Sequence, residues 1–323
     1  MKKERSTTEF EQTLTIRAAW LHYVGGHKQN DVANILGVTS VKAHRMIAKA
    51  VAEGLVKVSI DASVVECIEM EREFVKRFGL RICEIAPDLQ EVGLPFRSLG
   101  MAGANFLRRQ IELAEHKVIG VGHGRTLAAA MRQLTPINAD DIRFVSLLGG
   151  LTRNFSANPH DVMHLLAEKT RAQAHVMPVP FFANTSQDRK VLLAQKGVKD
   201  VFDLAESSTL KVVGIGTVDE NTQLVQSGMI EAEEIKELKA EGGVGELLGH
   251  FYDINGKLIH SSLTTRTLAV AVGKKVTGDV VALAGGPEKV EPLRAALESK
   301  QLSGLITDER TARALIDPLA AEG

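Results

Sequence analysis

The feature that most restricts the fold is a regular alternation of short apolar segments with helical patterns from residue 80 onward. Five of these segments read as strands, namely Lys117–Val121, Arg143–Leu148, Lys211–Ile215, Asp279–Ala284 and Gly304–Thr307. Strands that alternate with helices build parallel sheets, because each parallel connection needs a crossover. The sequence therefore predicts an α/β domain with a Rossmann-like parallel sheet over residues 80–323.

Each predicted strand runs into a glycine-rich or acidic loop, at residues 122–126, 149–154, 214–217, 285–289 and 308–309. In open parallel sheets ligands bind where the carboxyl ends of the strands meet, so we expect these loops to surround one site. The loop Gly122-His-Gly-Arg-Thr carries the most chemistry. Its glycines free backbone amides at a helix start, and Arg125 and Thr126 add donors. We predict a phosphate seat here, with Lys289 as a second cation.

Other ligand classes fit poorly. The spacing Gly120-x-Gly122-x-Gly124 is not a dinucleotide fingerprint, and no nucleotide-binding P-loop is present, so we expect no cofactor. The run His160-Asp-Val-Met-His164 is similar to a zinc motif, but Asp replaces its glutamate, and we predict rim or surface histidines and no metal. His123 is expected to line the pocket, since no carboxylate partner for acid–base work is visible in sequence.

Composition sets the broad class. A chain of 323 residues with 44% hydrophobic and 24% charged residues is globular and exceeds the usual size of one core, so we expect at least two domains. Fourteen Phe, Tyr and Trp residues are too few for a protein that stacks single-stranded bases. No apolar run suits a membrane span or a secretory leader, and we expect a cytoplasmic protein. Cys67 and Cys83 are predicted to be buried free thiols.

Charge is distributed unevenly along the chain. Residues 1–60 contain nine Lys or Arg and five Asp or Glu, whereas the remainder contains 30 basic and 35 acidic residues. A basic excess confined to one small unit is typical of a modular DNA-binding protein.

The helical pattern of this unit agrees with that interpretation. A helix over residues 11–24 is expected to end at Gly25-Gly26, a second spans Gln29–Leu36, and a third begins after Thr39, a good capping residue. This is the order of a helix-turn-helix, and residues 53–60 read as a following wing strand. Its inner faces are assigned to Val32, Ala33, Ile35 and Leu36 of the second helix and to Val41, Met46 and Ile47 of the third.

The remaining faces of the third helix are polar and basic, as a helix that enters the major groove requires. The predicted DNA contacts are Lys28, Gln29, Thr39, Ser40, Lys42, His44, Arg45 and Lys49. The alternative is an ordinary solvated helix. Between the two domains, residues 61–79 are predicted to form a linker helix that either pairs with a second subunit or packs on its own domain.

Together these residues resemble the SorC-type sugar-binding transcriptional regulators of bacteria, over about residues 12–317. The resemblance rests on the segment 26–60, the loop Gly120-Val-Gly-His-Gly-Arg-Thr-Leu127, and the runs 147–150, 213–219, 243–253, 284–289 and 305–309. It implies an N-terminal winged helix-turn-helix in residues 1–60 and an effector domain related to sugar-phosphate isomerases and CoA transferases. It also implies a dimer or tetramer that binds double-stranded operator DNA and responds to a phosphorylated sugar or polyol.

The resemblance further implies the contacts with that effector. Phosphate contacts fall on Gly122, Gly124, Arg125, Thr126 and Lys289, and sugar contacts fall near Glu246, Asp253 and Arg153 or Asn154. The alternative function is a sugar-phosphate isomerase with an accessory DNA-binding domain, in which Asp219, Glu246 or Asp253 would be the general base. The regulator is the preferred reading, with no catalytic residue.

Overall fold

The computed structural model describes residues 2–53, 55–56, 64–150, 162–220, 222–271 and 278–317, with the backbone alone described for residues 2–9. The chain divides into two compact units, Met1–Ala62 and Ser63–Gly323. Each unit contains apolar core clusters of its own. Among the described residues, no helix combines the length and the apolar content that a membrane span needs.

The first unit is a bundle of three helices. Helix α1 (Lys2–Ala19) continues into a π-helical turn (Trp20–Val24) and is followed by α2 (Gln29–Leu36) and α3 (Ser40–Ala52). Gly37 ends α2 in the left-handed conformation, at φ 66°, where glycine carries no steric cost. The Thr39 hydroxyl caps α3 by accepting a hydrogen bond from the amide of Lys42 at 3.3 Å. The helix, glycine turn and capped helix predicted from sequence are confirmed.

The core of this unit is small and differs from the prediction at two positions. It contains Ala18, Val32, Ala33, Ala43, Met46 and Ile47. Ile35 and Val41, assigned inward from the sequence, are 54% and 69% exposed. Val41 precedes Ala43 by two residues, which is about 200° around a helix, so it lies opposite the buried face. Residues 54 and 57–60 of the predicted wing lie outside the described part of the chain.

In its described residues, the second unit contains ten strands. They are β1 (Ile82–Ala86), β2 (Val118–Val121), β3 (Arg143–Ser146), β4 (Gln173–His175), β5 (Leu210–Val213), β6 (Gly216–Thr217), β7 (Gly243–Leu247), β8 (His250–Asp253), β9 (Asp279–Leu283) and β10 (Gly304–Asp308). Seven of them form one parallel sheet in the order β1-β10-β9-β5-β2-β3-β4, and β6-β7-β8 form a small antiparallel sheet. The predicted α/β class with a parallel sheet is confirmed.

Ten helices accompany these strands in the described residues. They are α4 (Val65–Phe78), α5 (Phe96–Leu113), α6 (Arg125–Gln133), α7 (Met163–Thr170), α8 (Ser186–Ala194), α9 (Lys196–Glu206), α10 (Gln223–Gln226), α11 (Ala232–Ala240), α12 (Val290–Glu298) and α13 (Glu309–Ile316). Successive residues of a strand point to opposite faces of a sheet. Accordingly, Ile119 and Val121 belong to a core cluster with residues of α5, α6 and α7, whereas Val118 belongs to a second cluster that includes residues of α4, α9, α12 and α13. The parallel sheet therefore has a buried core on both faces.

Helix α4 covers the segment predicted to link the domains. Its buried residues Cys67, Met70, Phe74 and Phe78 belong to the core of the second unit. Of the two alternatives drawn from sequence, the structure shows packing on its own domain. Cys67 is buried, Cys83 is half-buried, and both are free thiols.

Candidate effector-binding site and DNA-binding surface

A cavity of about 430 Å³ lies at the carboxyl ends of the parallel strands. Three of the five predicted loops line it, through His123–Thr126 after β2, Gly214–Thr217 after β5, and Glu288 and Lys289 after β9. Leu148, the last residue of the predicted strand Arg143–Leu148, also lines it. In the second loop, residues 151–154, including the predicted contacts Arg153 and Asn154, lie outside the described residues. The cavity has the size of a site for one small molecule.

The helix start at Gly124 lines one part of the cavity with backbone amides. Gly124 is the N-cap of α6 at φ 131°, a conformation that favours glycine, and its carbonyl accepts the amide of Ala128 at 2.9 Å. The amides of Arg125, Thr126 and Leu127 precede the first helical hydrogen bond, so the helix offers them no acceptor. Amides in that position, together with the helix dipole, bind phosphate or carboxylate groups.

Two side chains complete the cationic part. The guanidinium of Arg125 lies over the ring of Phe96, 5.7 Å from its centroid, and this contact orients it at the cavity wall. Lys289 is the last residue of a 3-10 turn (Pro287–Lys289) whose N-cap is Gly286. Burial lowers the pKa of Lys289, and the nearby carboxylates of Glu288 and Glu246 partly offset that effect.

Gly122 does not act as predicted from the resemblance. Its amide donates to the carbonyl of Val212 at 2.9 Å, and the residue is buried beside the strands and does not line the cavity. The Gly122 amide, which was predicted to contact the phosphate, is therefore bonded to the neighbouring strand. Gly124, two residues later, lines the cavity.

A half-buried carboxylate faces the cavity from the small antiparallel sheet. Glu246 lies on β7 and accepts a hydrogen bond from the amide of Gly249. Burial raises its pKa to about 7, while the Gly249 amide and the charge of Lys289 act in the opposite direction. Across the β6–β7 pair, its partner is Gly216. A carboxyl group with a pKa near neutrality both donates and accepts hydrogen bonds, as recognition of sugar hydroxyls requires.

The rest of the lining contains both polar and apolar side chains. Sequence reasoning had named Ile215 and Thr217 in the loop after β5, and Asp219 as the general base of the alternative function, and it missed most of the others. The polar residues are Thr217, Asp219, Thr222, Gln223 and Ser227, and the apolar ones include Leu94, Phe96, Leu148, Ile215, Leu224, Met229 and Leu248. The one local signal was Thr222, which caps the short helix α10 by accepting the amide of Leu224 at 3.3 Å. His123 lines the cavity, as predicted, and packs edge-on against Phe181 with ring centroids 5.4 Å apart.

Two groups predicted at the site lie elsewhere. Asp253 is outside the cavity lining, and its carboxylate accepts the amides of Asn255 and Lys257, each at 2.9 Å, in the turn after β8. Asp308, from the fifth loop, is buried and caps α13 by accepting the amide of Thr311 at 3.1 Å. Both carboxylates are used to hold backbone turns.

The zinc-like motif does not form a described metal site. His160 lies outside the described residues, and His164 is exposed on α7. Within the described residues, no group of three or more His, Cys, Asp or Glu side chains is placed to hold a metal ion.

In the first unit, the predicted DNA-contacting residues lie at the start of α2 and on α3 with its N-cap, and they face solvent. Lys28, Gln29, Thr39, Ser40, Lys42, His44, Arg45 and Lys49 are all exposed. The hydroxyl of Ser40 donates to Asn30 of α2 at 2.8 Å, which fixes the start of α3 against the preceding helix. Lys49 forms an ion pair with Glu53 at 3.7 Å, so a carboxylate already lies near its charge.

A capped, basic recognition helix in one unit and an anion-binding sugar-type cavity in the other define a ligand-responsive DNA-binding regulator. Comparisons with known proteins support this class. The Sugar-bind family model, a sugar-binding domain, matches residues 62–317. The chain is 59% identical to the erythritol catabolism regulatory protein EryD of Brucella abortus (strain 2308), covering 95% of this chain and 97% of that one. It is 30% identical to the transcriptional regulator LsrR of Enterobacter sp. (strain 638), covering 95% and 93%.

Solved structures show the same fold. The full-length sorbitol operon regulator SorC from Klebsiella pneumoniae superposes with a TM-score of 0.69 at 23% identity, covering 95% of this chain and 99% of that one. A DeoR family transcriptional regulator from Listeria monocytogenes gives 0.68 at 20% identity, covering 77% and 99%. The chain belongs to the SorC-type family of sugar-binding transcriptional regulators, and it is a transcriptional regulator of sugar or polyol catabolism.

Proposed function

We propose that this regulator controls genes of erythritol catabolism and that its effector is a four-carbon polyol phosphate. The polyol is suggested by the name of the relative that shares 59% identity over 95% of the chain. The phosphate is suggested by the cavity itself. Three amides without a helical acceptor at the start of α6, the Arg125 guanidinium and the Lys289 ammonium all belong to its lining, and that combination suits a phosphate dianion.

The hydroxyl groups of the effector are assigned to the acidic and hydroxyl side chains of the cavity. Glu246 and Asp219 line it together with Thr217 and Ser227, and these side chains offer both donors and acceptors. The apolar wall at Phe96 and Leu224 then packs against the carbon chain. On this proposal the two carboxylates recognise hydroxyl groups, and the protein does not turn its ligand over.

The effector assignment is tested by isothermal titration with erythritol phosphate, erythritol and inorganic phosphate. Arg125→Ala and Lys289→Ala should each weaken erythritol phosphate binding about 10- to 100-fold, because a hydrogen bond to a charged group contributes about 1.5–3 kcal/mol. Arg132→Ala, exposed on the same helix, and Lys239→Ala, exposed on α11, are the matched controls. Equal affinity of wild type and both cavity variants would place the phosphate elsewhere.

The regulatory role is tested with the same variants on DNA. The probe is the duplex that wild-type protein enriches from a pool of random sequences. Arg125→Ala should bind this duplex like wild type but should not respond to erythritol phosphate, since a ligand shifts an equilibrium only by its differential affinity for the two states. A loss of DNA binding in the absence of effector would assign Arg125 a structural role instead.

The isomerase alternative requires turnover. Wild-type protein incubated with aldose and ketose phosphates should leave the NMR spectra of both unchanged. Conversion that disappears in Glu246→Gln or Asp219→Asn would establish catalysis by one of these carboxylates.

We further propose that the protein acts in the cytoplasm as a symmetric dimer or tetramer, because one helix-turn-helix reads only half of a two-fold operator.

A further inference from the structure

Helix α1 and the first residue of the π-helical turn after it carry two exposed aromatic residues on the side away from their own core. Phe10, Thr13, Arg17 and Trp20, which we call the outer stripe, are separated by three, four and three residues. That spacing places them along one face of a helix. All four are exposed, with Phe10 at 64% and Trp20 at 62%, and Thr13, Arg17 and Trp20 share a shallow groove with Ile16.

The stripe is unusual for this chain. Every Phe, Trp or Tyr that is exposed among the described residues, namely Phe10, Trp20 and Tyr23, lies within residues 10–24. The chain has one Trp and two Tyr in total. Aromatic residues are typical of the centre of protein interfaces. An aromatic face on the outside of a small DNA-binding unit therefore indicates a contact surface.

The pattern of the stripe selects its partner. Spacings of three and four residues form the seam of a two-stranded coiled coil. If two copies of α1 pair antiparallel about an axis near residue 15, Phe10 faces Trp20 and Thr13 faces Arg17. If they pair parallel and in register, Arg17 faces Arg17, which places like charges in contact. The antiparallel pair alone buries both aromatic residues and separates the two guanidinium groups.

We infer that the outer stripe is the contact between the DNA-binding units of two copies of this chain, paired antiparallel through α1. The inference goes beyond the effector assignment. The proposed two-fold operator gives the pairing its biological role, and the evidence for the pairing does not depend on it. Two helices that pair antiparallel are related by a two-fold axis, which is the symmetry that an inverted repeat in DNA imposes on its reader.

The first test uses Trp20 as a reporter, since it is the only tryptophan in the chain. In full-length wild-type protein, fluorescence quenching by acrylamide should be weak, because Trp20 is covered by the partner. Phe10→Glu should restore strong quenching by removing the residue that faces Trp20. Gln12→Glu adds the same charge at an exposed position of α1 off the stripe and should behave as wild type. Strong quenching in wild type, or equal behaviour of the two variants, would overturn the inference.

The second test fixes the orientation and needs neither DNA nor effector. Thr13→Cys and Arg17→Cys proteins are oxidised separately and after mixing, with wild type as the control for Cys67 and Cys83. Antiparallel pairing predicts a disulfide-linked dimer in the mixture and little in either protein alone, because a disulfide needs Cα atoms within about 7 Å. Cross-linking of each variant with itself would indicate a parallel pair, and no cross-link in the mixture would indicate another occupant of the stripe. Either result contradicts the inference while leaving the effector assignment intact.

Discussion

At the residue scale, the position of the Glu246 carboxylate depends on a glycine beside it. A Cβ on Gly216 would lie 2.4 Å from Oε2 of Glu246, well inside van der Waals contact. The nearest atom is the end of a flexible side chain and can move, whereas the Cβ of Glu246, at 3.0 Å, requires a backbone shift of a few tenths of an ångström. Gly216 therefore determines where the Glu246 carboxylate lies in the cavity.

Gly216→Ala should displace that carboxylate and weaken effector binding about tenfold or more, with a small change in melting temperature. Gly197→Ala in α9 is the matched control, since nothing lies within 4 Å of the added Cβ there. Titration calorimetry and thermal unfolding of both variants separate the two effects. A large loss of stability in Gly216→Ala would contradict the expectation that the backbone shifts by only a few tenths of an ångström.

The pKa values at the site predict a proton linkage. Burial raises the pKa of Glu246 to about 7 and lowers that of Lys289. A bound phosphate dianion favours the protonated form of both groups, so both pKa values rise in the complex and protons are taken up. Affinity should consequently fall as the pH rises from 7 to about 8.5. Calorimetry at pH 7.5 in buffers of different ionisation enthalpy measures this uptake, and neutral erythritol should show little.

At the scale of elements, the strands that were predicted correctly from sequence are the buried ones. The five strands predicted from sequence lie inside the parallel sheet or are flanked by apolar neighbours, and parallel strands buried on both faces read as apolar runs. The edge strands β1 and β4 were missed because they include polar residues such as Glu84 and Gln173. Strands β6 to β8 were missed because glycines dominate the segment, although Gly245 is needed there to let the Tyr252 ring approach. Most of the polar lining of the cavity could not be predicted, since it depends on how those strands fold back.

Helix α3 predicts a difference between two cations on the same surface. Arg45→Ala should reduce operator affinity at least tenfold and lower the slope of log affinity against log salt by about one, as loss of a phosphate contact does. Lys49→Ala should have a smaller effect, because Glu53 already lies 3.7 Å from its ammonium. Salt titrations by fluorescence anisotropy on the selected duplex measure both slopes. Equal losses in the two variants would contradict this ranking.

At the scale of the whole molecule, the distribution of charged residues along the sequence and the contacts within the structure both separate a small N-terminal unit from the rest of the chain. The basic excess over residues 1–60 falls within the compact unit Met1–Ala62, and the sugar-binding family model begins at residue 62. We propose that the two units keep separate tasks, DNA recognition in one and effector recognition in the other. Variants of Arg45 and Arg125 should then act independently on the two binding reactions, and additive effects in the double variant would be the expected outcome.

The placement of the thiols has a consequence for what the regulator can sense. Burial raises the pKa of Cys67 to about 11, and burial also raises that of Cys83. At pH 7 about one Cys67 thiol in ten thousand is ionised, and only the thiolate reacts readily with oxidants. The native protein should therefore resist hydrogen peroxide and iodoacetamide until it unfolds, as mass spectrometry of treated samples would show. Its output would follow carbohydrate supply during oxidative stress, when regulators with exposed thiolates are inactivated.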